Sequence, residues 1–171
     1  HLSQGRKLRY KWFMVESLGT KVVIDTNCAN ALVAEALRAG KIPELPRDFQ
    51  TEYRVGDSRL DFFFPPDIYL EVKSVSMGSG KLSSFPDAVT TRGQKHLREL
   101  MRLKAEGKRA VLFFLVTREG SLTMRPASEI DPVYAKLLHE ALRAGVEVLV
   151  YGMKFTADGF EVGEKGSLDL V

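Results

Sequence analysis

The clearest prospect of chemistry lies in Asp61 and, after nine intervening positions, Glu71-Val72-Lys73. Carboxylate oxygens are hard ligands, and a cation such as Mg²⁺ or Mn²⁺ takes one or two of them while keeping water and substrate phosphate oxygens in its other positions. A cation held in this way polarises a phosphodiester and lowers the pKa of a coordinated water. An ammonium beside it orients that water or stabilises charge developing on the phosphoryl oxygens, the part open to Lys73. A plainer reading of the same residues is a cross-strand charge cluster on a solvated face, with Lys73 neutralising both acids. Glu-x-Lys is short and common, and alone it does not choose between the two.

Other residues could extend such a site. Glu35 becomes a third carboxylate for the metal if its helix packs on the strands, and is otherwise a solvent-facing helical residue. Thr90, Arg92, Lys95 and His96, with Asp87, gather at an expected helix N-terminus, where unpaired N–H groups and the helix dipole attract phosphate. Capping explains Asp87 and Thr90 equally well, and the stripe Arg92, Lys95, Arg98 and Arg102 is ordinary for an exposed helix face. Near the start, Lys7, Arg9 and Lys11 alternate with Leu8, Tyr10 and Trp12. Cations interleaved with aromatics can hold a nucleic-acid backbone and stack its bases, or can form an amphipathic strand with Leu8, Tyr10 and Trp12 in the core.

Positioning these residues requires strands. Phe49–Val55, Arg59–Phe64 and Ile68–Val75 alternate in strand fashion between the turns Gly56-Asp57-Ser58 and Pro65-Pro66-Asp67, which predicts an antiparallel meander. Side chains alternate across a strand, so Glu71 and Lys73 share a face, and a tight strand pair brings Asp61 alongside Glu71. Before the meander, residues 6–16 read as a strand paired through Leu18-Gly19-Thr20 with Lys21–Asp25, and Asn30 is expected to N-cap a helix over Ala31–Ala39 that stops at Gly40. After it, Met77–Ser84 is rich in Gly and Ser and reads as a mobile loop. A helix from Thr90 or Thr91 to Ala105, a buried strand Ala110–Val116, a helix from Asp131-Pro132 to Arg143, a strand Val146–Tyr151 and a hairpin around Ala157-Asp158-Gly159 complete the order. A mixed central sheet flanked by helices is an α/β architecture.

Composition sets outer limits. A chain of 171 residues, 44% hydrophobic and 27% charged, suits one ordinary domain, and no apolar run approaches the length that spans a bilayer. No membrane association is expected, and the cytoplasm is the default location. The one cysteine, Cys28, cannot form an internal disulfide and reads as a small buried hydrophobe; with three histidines, no Cys/His zinc site suggests itself. A net charge of +3 permits nucleic-acid binding without establishing it.

Several stretches read together carry more information: Asn30-Ala-Leu-Val-Ala-Glu-Ala-Leu37, Gly40-Lys-Ile-Pro-Glu44, Asp57-Ser-Arg-Leu-Asp-Phe62, Glu71-Val-Lys-Ser-Val75, Phe85-Pro-Asp-Ala-Val-Thr-Thr-Arg-Gly-Gln-Lys-His-Leu97 and Arg125-Pro-Ala-Ser-Glu-Ile-Asp-Pro132. They resemble the sugar fermentation stimulation (SfsA) family over nearly the whole chain. The resemblance implies a PD-(D/E)xK, restriction-endonuclease-like core over residues 30–171, with added N-terminal and C-terminal hairpins. It also implies DNA as partner and a role in regulating sugar metabolism. Asp61, Glu71 and Lys73 match the nuclease motif, and Glu35 matches the superfamily's frequent helical carboxylate. Family members carry an N-terminal OB-like domain, so residues 1–29 are expected to join a missing domain of that kind to the core. A homodimer is compatible with all of this. The functional expectation is a DNA-binding protein with a Mg²⁺- or Mn²⁺-dependent nuclease-like domain, or a regulator that binds DNA through the same fold without cutting it.

Overall fold

The structure is a computed structural model that describes residues 12–17 and 19–170. Its elements are β1 (Met14–Ser17), β2 (Thr20–Val23), α1 (Asn27–Arg38), β3 (Gln50–Val55), β4 (Ser58–Phe64), β5 (Ile68–Val75), β6 (Met77–Ser79), β7 (Leu82–Phe85), α2 (Thr91–Ala105), β8 (Arg109–Val116), β9 (Thr123–Pro126), α3 (Pro132–Arg143), β10 (Glu147–Thr156), β11 (Gly159–Lys165) and β12 (Ser167–Leu168). A six-stranded sheet in the order β11-β10-β8-β5-β4-β3 forms the centre. Its β3-β4-β5 side is the antiparallel meander, and β5, β8 and β10 run parallel.

The continuous apolar run in β8 belongs to a strand covered on both faces. Val111, Phe113 and Leu115 pack toward α1 with Phe62, Phe64, Leu70 and Val72, whereas Leu112, Phe114 and Val116 pack toward α2 and α3 with Leu97, Leu100, Tyr134 and Leu138. Strand alternation in β5 then sends Leu70 and Val72 to the α1 side and Glu71 and Lys73 to the other. The helix stops also follow the sequence. Gly40 has φ +69 and Gly107 φ +79, and the residues after them, Lys41 and Lys108, return N–H groups to the Ala36 and Leu103 carbonyls.

Four expectations are corrected. First, α1 begins at Asn27 rather than after Asn30, because Asp25 supplies the terminus: its carboxylate accepts from the Asn27 N–H and its carbonyl from the Cys28 N–H. Second, Met77–Ser84 is mostly strand, not a loop. It forms the β6-β7 hairpin of a second sheet ordered β12-β9-β7-β6, with Ser83 buried and its hydroxyl 2.9 Å from that of Ser121. Its partner strand β9 lies some forty residues downstream, so no local pattern announces the pairing. Third, Trp12 is 81% exposed, while Phe13 turns inward and stacks on Phe160 with ring centroids 5.3 Å apart. Fourth, Cys28 is half-buried against the α1 core, its Sγ donating to the Asp25 carbonyl. Lys7 and Arg9 lie outside the described residues. The C-terminal hairpin stands as expected, with β10 continuing to Thr156 before the turn.

Candidate metal centre

The β4–β5 ladder pairs Phe64 with Ile68, Phe63 with Tyr69 and Phe62 with Leu70, then ends before Asp61 and Glu71. Where the strands part, the Val72 N–H has lost its ladder acceptor, and the Asp61 carboxylate replaces it, Oδ2 accepting at 2.7 Å. A buried N–H left without such a partner would cost about 1–3 kcal/mol, so backbone accounting fixes this side chain. The β3 residue that would face Asp61 is Glu52, unpaired in the ladder and held at φ 56. A non-glycine residue in that region carries about 1–2 kcal/mol of strain, which marks this part of the meander as distorted around Asp61.

Asp61 Oδ1 accepts from the Asn30 side-chain amide at 2.6 Å. Asn30 thus belongs to the site and not to a helix cap, since α1 begins one turn earlier than its cap-like sequence suggests. Glu35 is carried elsewhere. Five positions along a helix amount to a rotation of about 140° from Asn30, and Glu35 lines a separate surface groove with Leu32, Ala39, Lys41 and Glu161. The structure does not bring it to the other two carboxylates.

Glu71 is 3% exposed, and its two oxygens are treated unequally. Oε1 accepts from Lys73 Nζ at 2.7 Å and contacts His96 Nδ1, which itself lies 3.1 Å from Lys73 Nζ. Oε2 is buried and has no hydrogen-bond partner among the described residues. Burial pushes the Glu71 carboxyl up, but the hydrogen bond from His96 and the charge of Lys73 outweigh it and leave its pKa below the ordinary value. Asp61 is the opposite case. Burial, and then the charge of Glu71, raise its pKa from the ordinary 3.8 to about 6, against the pull of the Val72 N–H, Asn30 and Lys73.

Asp61, Glu71, Val72 and Lys73 line one cleft of about 330 Å³ together with Thr26, Ala29, Asn30, Ser74, Ser76, Phe85, Asp87 and Arg92. No group of three His, Cys, Asp or Glu side chains among the described residues forms a ready metal cage. The donor set nevertheless suits a hard cation that keeps most of its waters: two carboxylates, one with a buried unsatisfied oxygen and the other held against its neighbour's charge. In the plainer solvated-face reading, Glu71 would be exposed, and it is not.

The expected phosphate site at the start of α2 divides. Thr90 is a cap, its Oγ1 accepting from the Gly93 N–H at 3.0 Å. His96 is 4% exposed and points inward, because it shares the α2 face that buries Leu97, Leu100 and Leu103. Gly93 lets that face approach α3 closely: a Cβ there would lie 2.8 Å from Thr90 Cγ2 and 3.1 Å from the Tyr134 ring. Arg92 and Lys95 remain exposed, Arg92 on the rim of the cleft and Lys95 donating to the Asp57 carbonyl at 2.8 Å. Arg102 is neutralised by Glu99 and Glu106. Asp131, expected where the helix to Arg143 opens, is its N-cap and also reaches α2. It is 1% exposed and accepts from the Thr90 and Tyr134 N–H groups at 2.9 Å and from the Gln94 side chain at 3.0 Å, tying the starts of α2 and α3 together.

A family model described as "Sugar fermentation stimulation protein RE domain" matches residues 27–159. The chain is 49% identical over 164 residues to a sugar fermentation stimulation protein homolog from Pseudomonas savastanoi pv. phaseolicola, covering 90% of this chain and 69% of that protein. It is 41% identical over 172 residues to a homolog from Paramagnetospirillum magneticum, covering 96% and 73%. Among solved structures it resembles Pyrococcus furiosus SfsA in complex with Ca²⁺, with a TM-score of 0.90 and 31% identity over 99% of this chain and 76% of the other. The mixed sheet with its flanking helices is therefore the restriction-endonuclease-like core of that group. None of the described helices is long and apolar enough to cross a membrane.

Proposed function

Taking as premise that this chain belongs to the sugar fermentation stimulation protein family, we propose that it is a DNA-binding protein whose cleft holds a divalent cation, Mg²⁺ or Mn²⁺, and hydrolyses phosphodiesters. The observation that carries the reading is the pair of half-buried Asp61 and buried Glu71, with Glu71 Oε2 unsatisfied and Asp61 raised to about 6 by partial burial and its neighbour's charge. A cation there would relieve both. The Ca²⁺ complex of the Pyrococcus furiosus relative supports a hard-cation site in this fold.

Asp61 and Glu71 would hold the metal, which supplies Lewis acidity toward a phosphoryl oxygen. Asn30 and the Val72 N–H orient Asp61. Lys73 places an ammonium beside Glu71 in the same cleft, where it can stabilise charge on the phosphate. Arg92 on the rim, with exposed Lys95 beyond it, is positioned to hold the flanking backbone phosphates. A DNA-binding regulator that does not cut is the second reading. One observation favours it: Lys73 Nζ is already engaged by Glu71 and lies close to His96.

Incubation of supercoiled and linear DNA with the protein and Mg²⁺ or Mn²⁺ tests the proposal. Cleavage by the wild type that is lost in Asp61→Asn and Lys73→Ala supports hydrolysis. DNA binding without any metal-dependent cleavage selects the regulator, and absence of DNA binding at low salt removes both.

A further inference from the structure

Both oxygens of Asp61 accept hydrogen bonds, from Asn30 and from the Val72 N–H, whereas Glu71 in the same cleft has one oxygen met and one unmet. A glutamate side chain has three rotatable bonds, and either oxygen could in principle face a bound cation. Here Lys73 Nζ and His96 Nδ1 both converge on Oε1. Lysine has only donors, so Lys73 and His96 cannot satisfy one another while His96 donates, and the oxygen is the acceptor that they share. Lys73 sits two residues away on the same strand, whereas His96 comes from α2, across the sheet face, and is buried between α2 and the strand. His96 does not line the cleft, and Oε2 is left buried without a partner.

We infer that His96 is a positioning residue: through Nδ1 it anchors Glu71 by Oε1 and so presents Oε2 as the single oxygen offered to the cation. The inference rests on the metal-binding reading of the cleft and assigns His96 a part in it in place of surface phosphate binding. Partners of this kind, behind a ligand, set its orientation and basicity without touching the metal. A histidine serving only as core filler would be replaceable by any side chain of similar volume.

The test uses the position of the polar atom. Asparagine places its amide nitrogen close to where Nδ1 lies, glutamine places its own near Nε2, and leucine has neither. Isothermal titration of the whole chain with Mn²⁺ should give an affinity within about threefold of wild type for His96→Asn and about 10- to 100-fold weaker for His96→Gln and His96→Leu. Circular dichroism confirms folding of each variant; if His96→Leu does not fold, the Asn and Gln pair decides alone. Wild-type affinity in the Gln variant, or an Asn variant as weak as Gln, overturns the positioning role. Asp61→Asn separates the two levels of argument. If wild type binds Mn²⁺, Asp61→Asn does not, and the His96 variants all bind normally, only the positioning role fails. If wild type itself gives no binding, the cation reading fails and takes this inference with it.

Discussion

Among the described residues, carboxylates are buried in two places, at Asp131 and at Glu71 with half-buried Asp61 beside it, and the two places treat them in opposite ways. Asp131 accepts from two backbone N–H groups and a side-chain amide at the starts of α2 and α3, so its charge is met by donors the fold already needs to satisfy. Asp61 and Glu71 sit close enough for the charge of one to raise the pKa of the other, and one Glu71 oxygen goes unmet. The first carboxylate builds structure. The second pair is tolerated at a cost to stability, as expected where a site is organised for a ligand not supplied by the chain itself.

The contrast is sharpest under mutation. Asp131→Ala removes an N-cap and strands donors in the interior, and is expected to lower stability by about 3 kcal/mol in urea denaturation. Asp61→Asn keeps the shape and can still accept from Val72 while removing the like charge. Without metal at pH 7.5 it is expected to raise stability by about 1–2 kcal/mol. Loss of stability comparable to Asp131→Ala would erase the distinction.

The pH dependence separates Asp61 from Asp131 by sign: burial pushes the Asp131 carboxyl up, but the N–H groups of Thr90 and Tyr134 outweigh it and hold its pKa below the ordinary value. Asp61 has a folded pKa of about 6 against an ordinary 3.8, so between these values the folded chain binds more protons than the unfolded one. Its contribution therefore favours folding below about pH 4, and that advantage is lost as pH rises through about 6, by up to about 3 kcal/mol. Subtracting the stability profile of Asp61→Asn from that of wild type isolates this term; a flat difference between pH 4 and 7 contradicts it. If the cleft holds Mn²⁺ as proposed, the same ionisation is expected to weaken its affinity as pH drops below about 6, which titration of Mn²⁺ at about pH 5 and 7.5 would read.

The smallest effect concerns the rim. Arg92→Ala with Lys95→Ala should weaken binding to unrelated DNA sequences alike and flatten the salt dependence of log affinity by about one unit per lost phosphate contact. An unchanged slope in fluorescence anisotropy would limit DNA contact to the cleft itself.

What the sequence revealed of this site follows the distance over which each contact acts. Asp61, Glu71 and Lys73 were legible because a hairpin and strand alternation bring them together locally. Asn30 reaches Asp61 across 31 positions, and its cap-like context concealed it. His96 reaches Glu71 across 25, yet a signal was present: at one residue before Leu97 and four before Leu100 it falls on the apolar face of α2. Glu35 takes the solvent-facing alternative that the sequence left open, because five helical positions turn it about 140° from Asn30 and no local signal says which face of α1 meets the strands. The β6-β7 hairpin read as a loop for a similar reason, because its pairing with β9 is supplied from far along the chain.

The most direct test of the cleft as a cation site is thermal unfolding at pH 7.5 with increasing Mn²⁺, in wild type and Asp61→Asn. The account predicts that metal-free Asp61→Asn melts above metal-free wild type, and that Mn²⁺ raises the wild-type Tm progressively while leaving the variant unmoved. A wild-type Tm indifferent to Mn²⁺, or a variant that gains as much as wild type, would contradict it.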